Sequence, residues 1–137
     1  MVLIGQDMPP SQGVVSVDGR ETINLINKLS LAETLELIKM CKVLISNDSM
    51  PIHLAGASDC HIGFIASCKH PDYILPYRHG DIRYKSHNLE REWMYYDYKR
   101  QPSFIDGSEI GETTEARMRE CLPTPEAILE YVKSCLC

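Results

Sequence analysis

Short apolar runs alternate with stretches of helical periodicity along the first half of the chain. Four of these runs are bounded by turn formers and have the character of strands buried in a parallel sheet: Val2–Ile4, Ile23–Ile26, Val43–Ser46 and Ile62–Ile65. Strands that alternate with helices across short links are typical of βαβ units. The pattern therefore predicts an α/β fold, a parallel sheet flanked by helices.

Three segments between and after these runs carry helix start signals. Ser30 and Glu33 form a capping box, in which the serine hydroxyl accepts from the glutamate amide and the carboxylate reaches back to the serine amide. This signal predicts a helix over 31–41 with an apolar stripe at helical spacing. The other two predicted helices cover 50–58 and 125–135, and each has a proline in its first turn. Thr124 is the predicted N-cap of the last helix.

Length and charge narrow the classes of protein to consider. The 137 residues fit a single domain, and 14 Lys and Arg stand against 19 Asp and Glu, for a net charge of −5. No basic stripe interleaved with aromatic residues is present, so we do not expect a nucleic-acid partner. The apolar runs are far shorter than the roughly 20 residues that a membrane-spanning helix needs. The N-terminus lacks the basic and long apolar regions of a signal peptide, so we expect a cytoplasmic protein.

Six cysteines occupy positions 41, 60, 68, 121, 135 and 137, without a Cys-x-x-Cys pair or a zinc-site spacing. Free cysteine is often simply buried, and the expected compartment keeps thiols reduced. We therefore interpret these residues as reduced thiols, some of them in the core, and predict no metal site.

The candidate chemistry lies in residues 43–54. Asn47, Asp48 and Ser49 follow the carboxyl end of a predicted strand, at the start of a predicted helix, where ligands bind in open α/β sheets. Backbone amides and the positive end of a helix dipole favour phosphate there, and His53 lies one turn along the same face. A second interpretation stays open, in which Asp48 or Ser49 is only a helix cap and His53 an ordinary helix residue.

The ten residues from Asn47 to Gly56 read N-D-S-M-P-I-H-L-A-G. This run resembles the N-D-T-G-P-M-H-L-A-A signature of the heptosyltransferase-like glycosyltransferases, the family of the ADP-heptose:lipopolysaccharide enzymes. Four more segments resemble motifs of that family, in the same order: Leu3–Gly5, Ile23–Leu31, Phe64–Pro71 and Cys121–Val132. The resemblance covers residues 1–80 and 118–136, whereas residues 81–117 have no counterpart in it.

The resemblance implies a GT-B glycosyltransferase, whose two Rossmann-like domains face each other across a cleft. In such enzymes the C-terminal domain binds the nucleoside-diphosphate sugar, and residues 1–137 are similar to that domain. The donor-binding residues that it implies are Leu29, near the base, and Asn47, Asp48, Ser49, Met50 and His53. It implies no metal and no cofactor beyond the donor substrate, because the site lacks a carboxylate cluster suited to Mg²⁺.

Two departures from the family pattern bear on function. Met50 stands where the family has glycine, which puts a side chain where the backbone approaches phosphate. The family's first donor-domain strand and its acceptor domain would both precede Val2. We therefore expect a donor domain that is incomplete at its N-terminus and inactive alone. Because unpaired sheet edges invite pairing, we also expect self-association or a separate acceptor-domain protein as partner.

Three functions stay open at the level of sequence. The chain is the donor-binding portion of a glycosyltransferase that moves a sugar from a nucleoside-diphosphate sugar to an acceptor. Alternatively, it is a non-catalytic nucleotide- or anion-binding or interaction module that retains this fold, or a flavodoxin-like domain with an accidental likeness. Fold alone does not decide among them. Retention of Asp48, Ser49 and His53 favours a ligand site, whereas Met50 favours the loss of independent catalysis.

Overall fold

The computed structural model describes residues 1–5, 22–65, 71–89 and 122–137 of the chain. Its strands are β1 (Val2–Leu3), β2 (Ile23–Asn24), β3 (Val43–Asn47), β4 (His61–Ile65) and β5 (Ser86–Asn88). Its helices are α1 (Leu31–Met40), α2 (Met50–Leu54) and α3 (Pro125–Leu136). Every predicted strand and helix is thus present, and most bounds agree with the prediction to within one residue.

The bounds of β2 and α2 differ from the prediction. A strand is predicted as far as Ile26, but β2 ends at Asn24, whose Oδ1 accepts a hydrogen bond from the Ile26 amide at 3.0 Å and turns the chain. The predicted helix over 50–58 is α-helical only to Leu54 and continues as a 3-10 turn over Ala55–Ala57. In this turn a Cβ on Gly56 would stand 3.0 Å from the Cβ of Pro76, so the two segments pack closely.

All strand pairs among the described residues are parallel, as predicted, but the strands form two sheets rather than one. β1 pairs with β2 in the first sheet, and the second has the order β3-β4-β5. Ile4, just after β1, packs against the buried core around the second sheet.

β5 lies in the region for which the sequence predicts no structure. Its residues, Ser86–Asn88, lack an apolar pattern, yet they align with β4 from Ile62 to Phe64. The amide of Ile62 donates to the Lys85 carbonyl at 2.7 Å, and the Leu89 amide donates to the Phe64 carbonyl at 2.8 Å. Pairing with β4 thus forms this strand, and side-chain propensity does not.

Both long helices begin with the caps that the sequence predicts. The Ser30 hydroxyl accepts from the Glu33 amide at 3.3 Å, and the Ser30 amide donates to the Glu33 carboxylate at 2.8 Å. Hydrogen bonds from the Ser30 hydroxyl and amide also hold the pKa of Glu33 below its ordinary value. At α3, Thr124 Oγ1 accepts from the Ala127 amide at 3.2 Å. These local bonds stabilise both helix starts independently of packing.

One face of the β3-β4-β5 sheet packs against α1 and α2. The buried apolar residues on this side are Ile38, Leu44, Ile52, Ala55, Cys60, Ile62, Phe64, Ile74 and Leu75. α3 lies over the other face, where Tyr131 packs directly on Gly63 of β4. A Cβ at Gly63 would stand 2.5 Å from Ile45 Cδ1 and 2.8 Å from Tyr131 Cε1, so any larger residue here would displace these side chains.

Arg78 joins the amino ends of β4 and β5. Its side chain is buried, with 4% exposure, and Nη1 donates to the carbonyls of Ser58 and Cys60 at 3.0 and 2.9 Å. Nη2 donates to the Tyr84 carbonyl at 2.7 Å and to Ser86 Oγ at 3.1 Å. Neutral acceptors thus solvate the buried charge, and one side chain fixes two strand starts.

None of the helices in the described part of the chain combines the length and the apolar character that a membrane crossing requires.

Candidate functional site

The predicted site lies at the carboxyl end of β3. Asn47 is the last residue of the strand, Ser49 is the N-cap of α2 in an extended conformation, and His53 lies in the last turn of that helix. Asn47 and His53 are exposed, whereas Asp48 and Ser49 are half-buried. Parallel strands end at the same edge of a sheet, so this segment borders the edge at which open α/β sheets bind ligands.

Ser49 does not cap α2 with its side chain. Its Oγ lies 3.1 Å from Ser46 Oγ and 3.3 Å from the Asn47 carbonyl oxygen, and it makes no hydrogen bond to a helix amide. Ser49 is therefore the N-cap of α2 by position, as the second interpretation expects, but its hydroxyl does not take part in capping. Its hydroxyl stays beside the end of β3.

The amide groups at the start of α2 are fewer than the sequence interpretation assumes. Pro51 has no amide hydrogen, and the Ile52 amide already donates to the Ser49 carbonyl at 3.1 Å. The α-helical part spans only Met50–Leu54, and so short a helix has a weak dipole. A ligand at this position would therefore depend on side chains more than on helix amides.

Met50 is the first residue of α2, and its side chain is 44% exposed. It lies three residues before His53, so the two side chains share one face of the helix. Met50 thus places an exposed side chain at the start of α2, where the resemblance has glycine.

Leu29 is less closely tied to this segment than the other predicted site residues. It is half-buried in the loop that follows β2, which belongs to the other sheet. Within the described ranges, Leu29 is not part of the buried core or of the apolar residues that pack against it. The structure brings Asn47, Asp48, Ser49, Met50 and His53 together through β3 and α2, and Leu29 stays a prediction from the resemblance alone.

Ser46 is a residue that the sequence interpretation missed. It is the next-to-last residue of β3, and its hydroxyl contacts both Ser49 Oγ and the Asn47 carbonyl. The Ser-x-x-Ser spacing across the strand end is visible in the sequence, but it signals a contact only when the chain turns between the two residues.

A second polar cluster lies at the opposite, amino end of β4 and β5. The Asp59 carboxylate accepts from Lys85 Nζ and from the Tyr84 hydroxyl, and His79 Nε2 lies 3.9 Å away. Hydrogen bonds from Lys85 and Tyr84 hold the pKa of Asp59 below its ordinary value, and Asp59 raises the pKa of Lys85. These charges neutralise each other at the surface, where such pairs contribute little to stability, and none of the predicted site residues belongs to this cluster.

A cleft of about 630 Å³ separates β5 from α3 on the face away from the main core. His87 stacks on Tyr131 there, with ring centroids 5.6 Å apart. Burial, together with a hydrogen bond with Cys135, raises the pKa of Tyr131 well above its ordinary value. Among the described residues, no group of three His, Cys, Asp or Glu side chains could hold a metal ion, in this cleft or elsewhere.

Comparison with known protein families identifies the chain. The sequence model of glycosyltransferase family 9 (heptosyltransferase) matches residues 14–87, which is more than half of the chain. The chain belongs to glycosyltransferase family 9. The match contains every predicted site residue and ends within β5, a few residues beyond the first part of the resemblance, residues 1–80. The segments Leu3–Gly5 and Cys121–Val132 lie outside the match.

Membership in family 9 gives the chain a general role in glycosyl transfer, and the parallel sheets with flanking helices agree with a Rossmann-like domain of such an enzyme. No curated protein matches the chain in a sequence search. No solved structure matches it either.

Proposed function

We propose that this family 9 chain binds a nucleoside-diphosphate sugar and forms the donor-binding portion of a glycosyltransferase. The single observation that carries the proposal is the Asn47–His53 segment, which combines the family signature with a position at the carboxyl end of β3. A half-buried hydroxyl that is not used as a cap and an exposed imidazole both lie on this segment. Both groups can donate hydrogen bonds to phosphate oxygens.

Glycosyl transfer requires stabilisation of the leaving nucleoside diphosphate. Donors that face the developing charge lower the barrier, and Ser49 with His53 would serve this purpose here. Asp48 would repel phosphate, so we place it on the sugar, where a carboxylate can accept from hydroxyl groups. The donor is the substrate, and no further cofactor enters the proposal.

A thermal-shift screen tests donor binding directly. The purified 137-residue chain is heated with nucleoside diphosphates, nucleotide sugars and, as controls, the corresponding nucleosides without phosphate. A ligand present at one hundred times its dissociation constant stabilises a protein by about 2.7 kcal/mol. We expect stabilisation by at least one phosphorylated compound and none by the nucleosides. Absence of any shift at millimolar concentration would contradict the proposal.

The second candidate is a non-catalytic nucleotide-binding or interaction module of the same fold. The observation that favours it is the exposed Met50 side chain at the position where the family has glycine. The donor-binding portion of an enzyme and a binding module differ in whether the nucleotide sugar is turned over. A chain that binds a nucleotide sugar but releases no nucleoside diphosphate from it, alone or with an added acceptor-domain protein, is a binding module.

The edges of β1 and β3 that are unpaired in the described part of the chain support the expected association with a second copy of the chain or with an acceptor-domain protein. The pairing registers direct the amide and carbonyl groups of Val43 and Ile45 away from β4, and those of Val2 and Ile4 away from β2. Within the described ranges no strand pairs with either edge. Such edges favour association through an added strand, supplied by a second copy or by an acceptor-domain partner.

A further inference from the structure

Ser46 connects the rigid sheet to the proposed donor site. Its backbone is held by the β3–β4 ladder, in which it is aligned with the fully buried Phe64. Its side chain reaches Ser49 Oγ at 3.1 Å, whereas the backbone of Ser49 belongs to the turn that leads into α2. A side chain on the sheet thus fixes the position of a hydroxyl on the adjoining turn.

The number of hydroxyl hydrogens decides what this contact can do. Ser46 and Ser49 have one hydrogen each, and the Asn47 carbonyl accepts from Ser46 at 3.2 Å or from Ser49 at 3.3 Å. When Ser46 donates to Ser49 Oγ, the hydrogen of Ser49 is available to a ligand oxygen. A hydroxyl that accepts one hydrogen bond also donates a stronger one, because the two bonds polarise each other.

We propose that Ser46 is a positioning residue of the donor site, which orients the Ser49 hydroxyl and directs its hydrogen to a donor phosphate. This inference rests on the proposed donor binding. It gives Ser46 a role in the affinity for the donor nucleotide, in addition to its hydrogen bonds at the end of β3.

Isothermal titration calorimetry with ADP, UDP and GDP measures the contribution of Ser46 to nucleotide affinity. The variants are Ser49→Ala, Ser46→Ala, Ser46→Thr and the double variant Ser46→Ala/Ser49→Ala. The matched control is Ser58→Ala, which removes a part-buried serine hydroxyl that donates to the Ala55 carbonyl at 2.9 Å, outside the site. Urea unfolding of every variant separates losses of affinity from losses of stability.

For the nucleoside diphosphate that binds, Ser49→Ala should weaken affinity about tenfold or more, because a hydrogen bond to a charged group is lost. Ser46→Ala should weaken it about threefold to tenfold, as expected for a neutral hydrogen bond, and Ser46→Thr should restore it. The double variant should bind no more weakly than Ser49→Ala, and Ser58→Ala should bind normally.

Any of three results overturns the inference. If the unaltered chain binds a nucleoside diphosphate but Ser46→Ala binds it equally well, or if the two alanine effects simply add, Ser46 does not act through Ser49. If the unaltered chain binds none of the three, the proposed donor binding itself fails, and the role of Ser46 fails with it.

Discussion

His53 and Met50 occupy one face of α2 with opposite expected effects on ligand affinity. Replacing His53 by Ala removes a donor to a charged phosphate and should cost about 1.5–3 kcal/mol of binding, a tenfold to hundredfold loss. Met50→Gly should strengthen binding, because it clears the approach of phosphate to the backbone. Titration with a nucleoside diphosphate measures both. His79→Ala, at the opposite end of the sheet, is the matched control and should leave affinity unchanged.

Gly63 tests the packing of α3 on the sheet. Because its Cβ would stand 2.5 Å from Ile45 Cδ1, Gly63→Ala should lower the free energy of unfolding by about 1–3 kcal/mol. Ile45→Val removes the nearest atom, so the double variant should lose less stability than the sum of the two single changes. Urea denaturation measures these differences. Full additivity would show that the contact with Ile45 Cδ1 does not contribute to the loss of stability in Gly63→Ala.

At the scale of elements, Arg78 should be the most important polar side chain of the fold. Arg78→Met removes the donors of several carbonyl groups around β4 and β5, and we expect a loss of about 3 kcal/mol or more in urea denaturation. Arg83→Met is the matched control, since the Arg83 side chain is half-exposed and pairs with Asp72 at the surface. An exposed pair contributes about 0–1 kcal/mol. Equal losses in the two variants would contradict the role of Arg78.

The whole molecule should associate through its free strand edges. Light scattering and sedimentation across a wide concentration range should show self-association, or a complex once an acceptor-domain protein is added. Hydrogen exchange should slow at the Val43 and Ile45 amides on association, because these amides point away from β4. A particle that stays monomeric throughout, with no change in exchange, would count against this assembly.

Local signals explain why so many elements could be predicted. The Ser30 capping box, the Thr124-Pro125 start and the apolar runs of β3 and β4 each involve residues close in sequence, and their bounds agree with the structure. The site segment could be located for the same reason, because strand end and helix start adjoin along the chain. The roles of individual residues within that segment stay predictions. Neither the strand pattern nor the helix start signal says which atoms of a donor each side chain contacts.

The sequence by itself determined the alternation of strands and helices, the parallel pairing and the family signature. Each of these can be predicted from the order and spacing of residues along the chain. The tertiary structure alone decided that β5 forms from Ser-His-Asn, that Gly63 faces Tyr131, and that the strands divide into two sheets. It also decided that the Ser49 hydroxyl contacts Ser46 and makes no hydrogen bond to an amide of α2. Each of these depends on which distant segments meet, and the competition between alternative contacts is resolved only when the chain is packed.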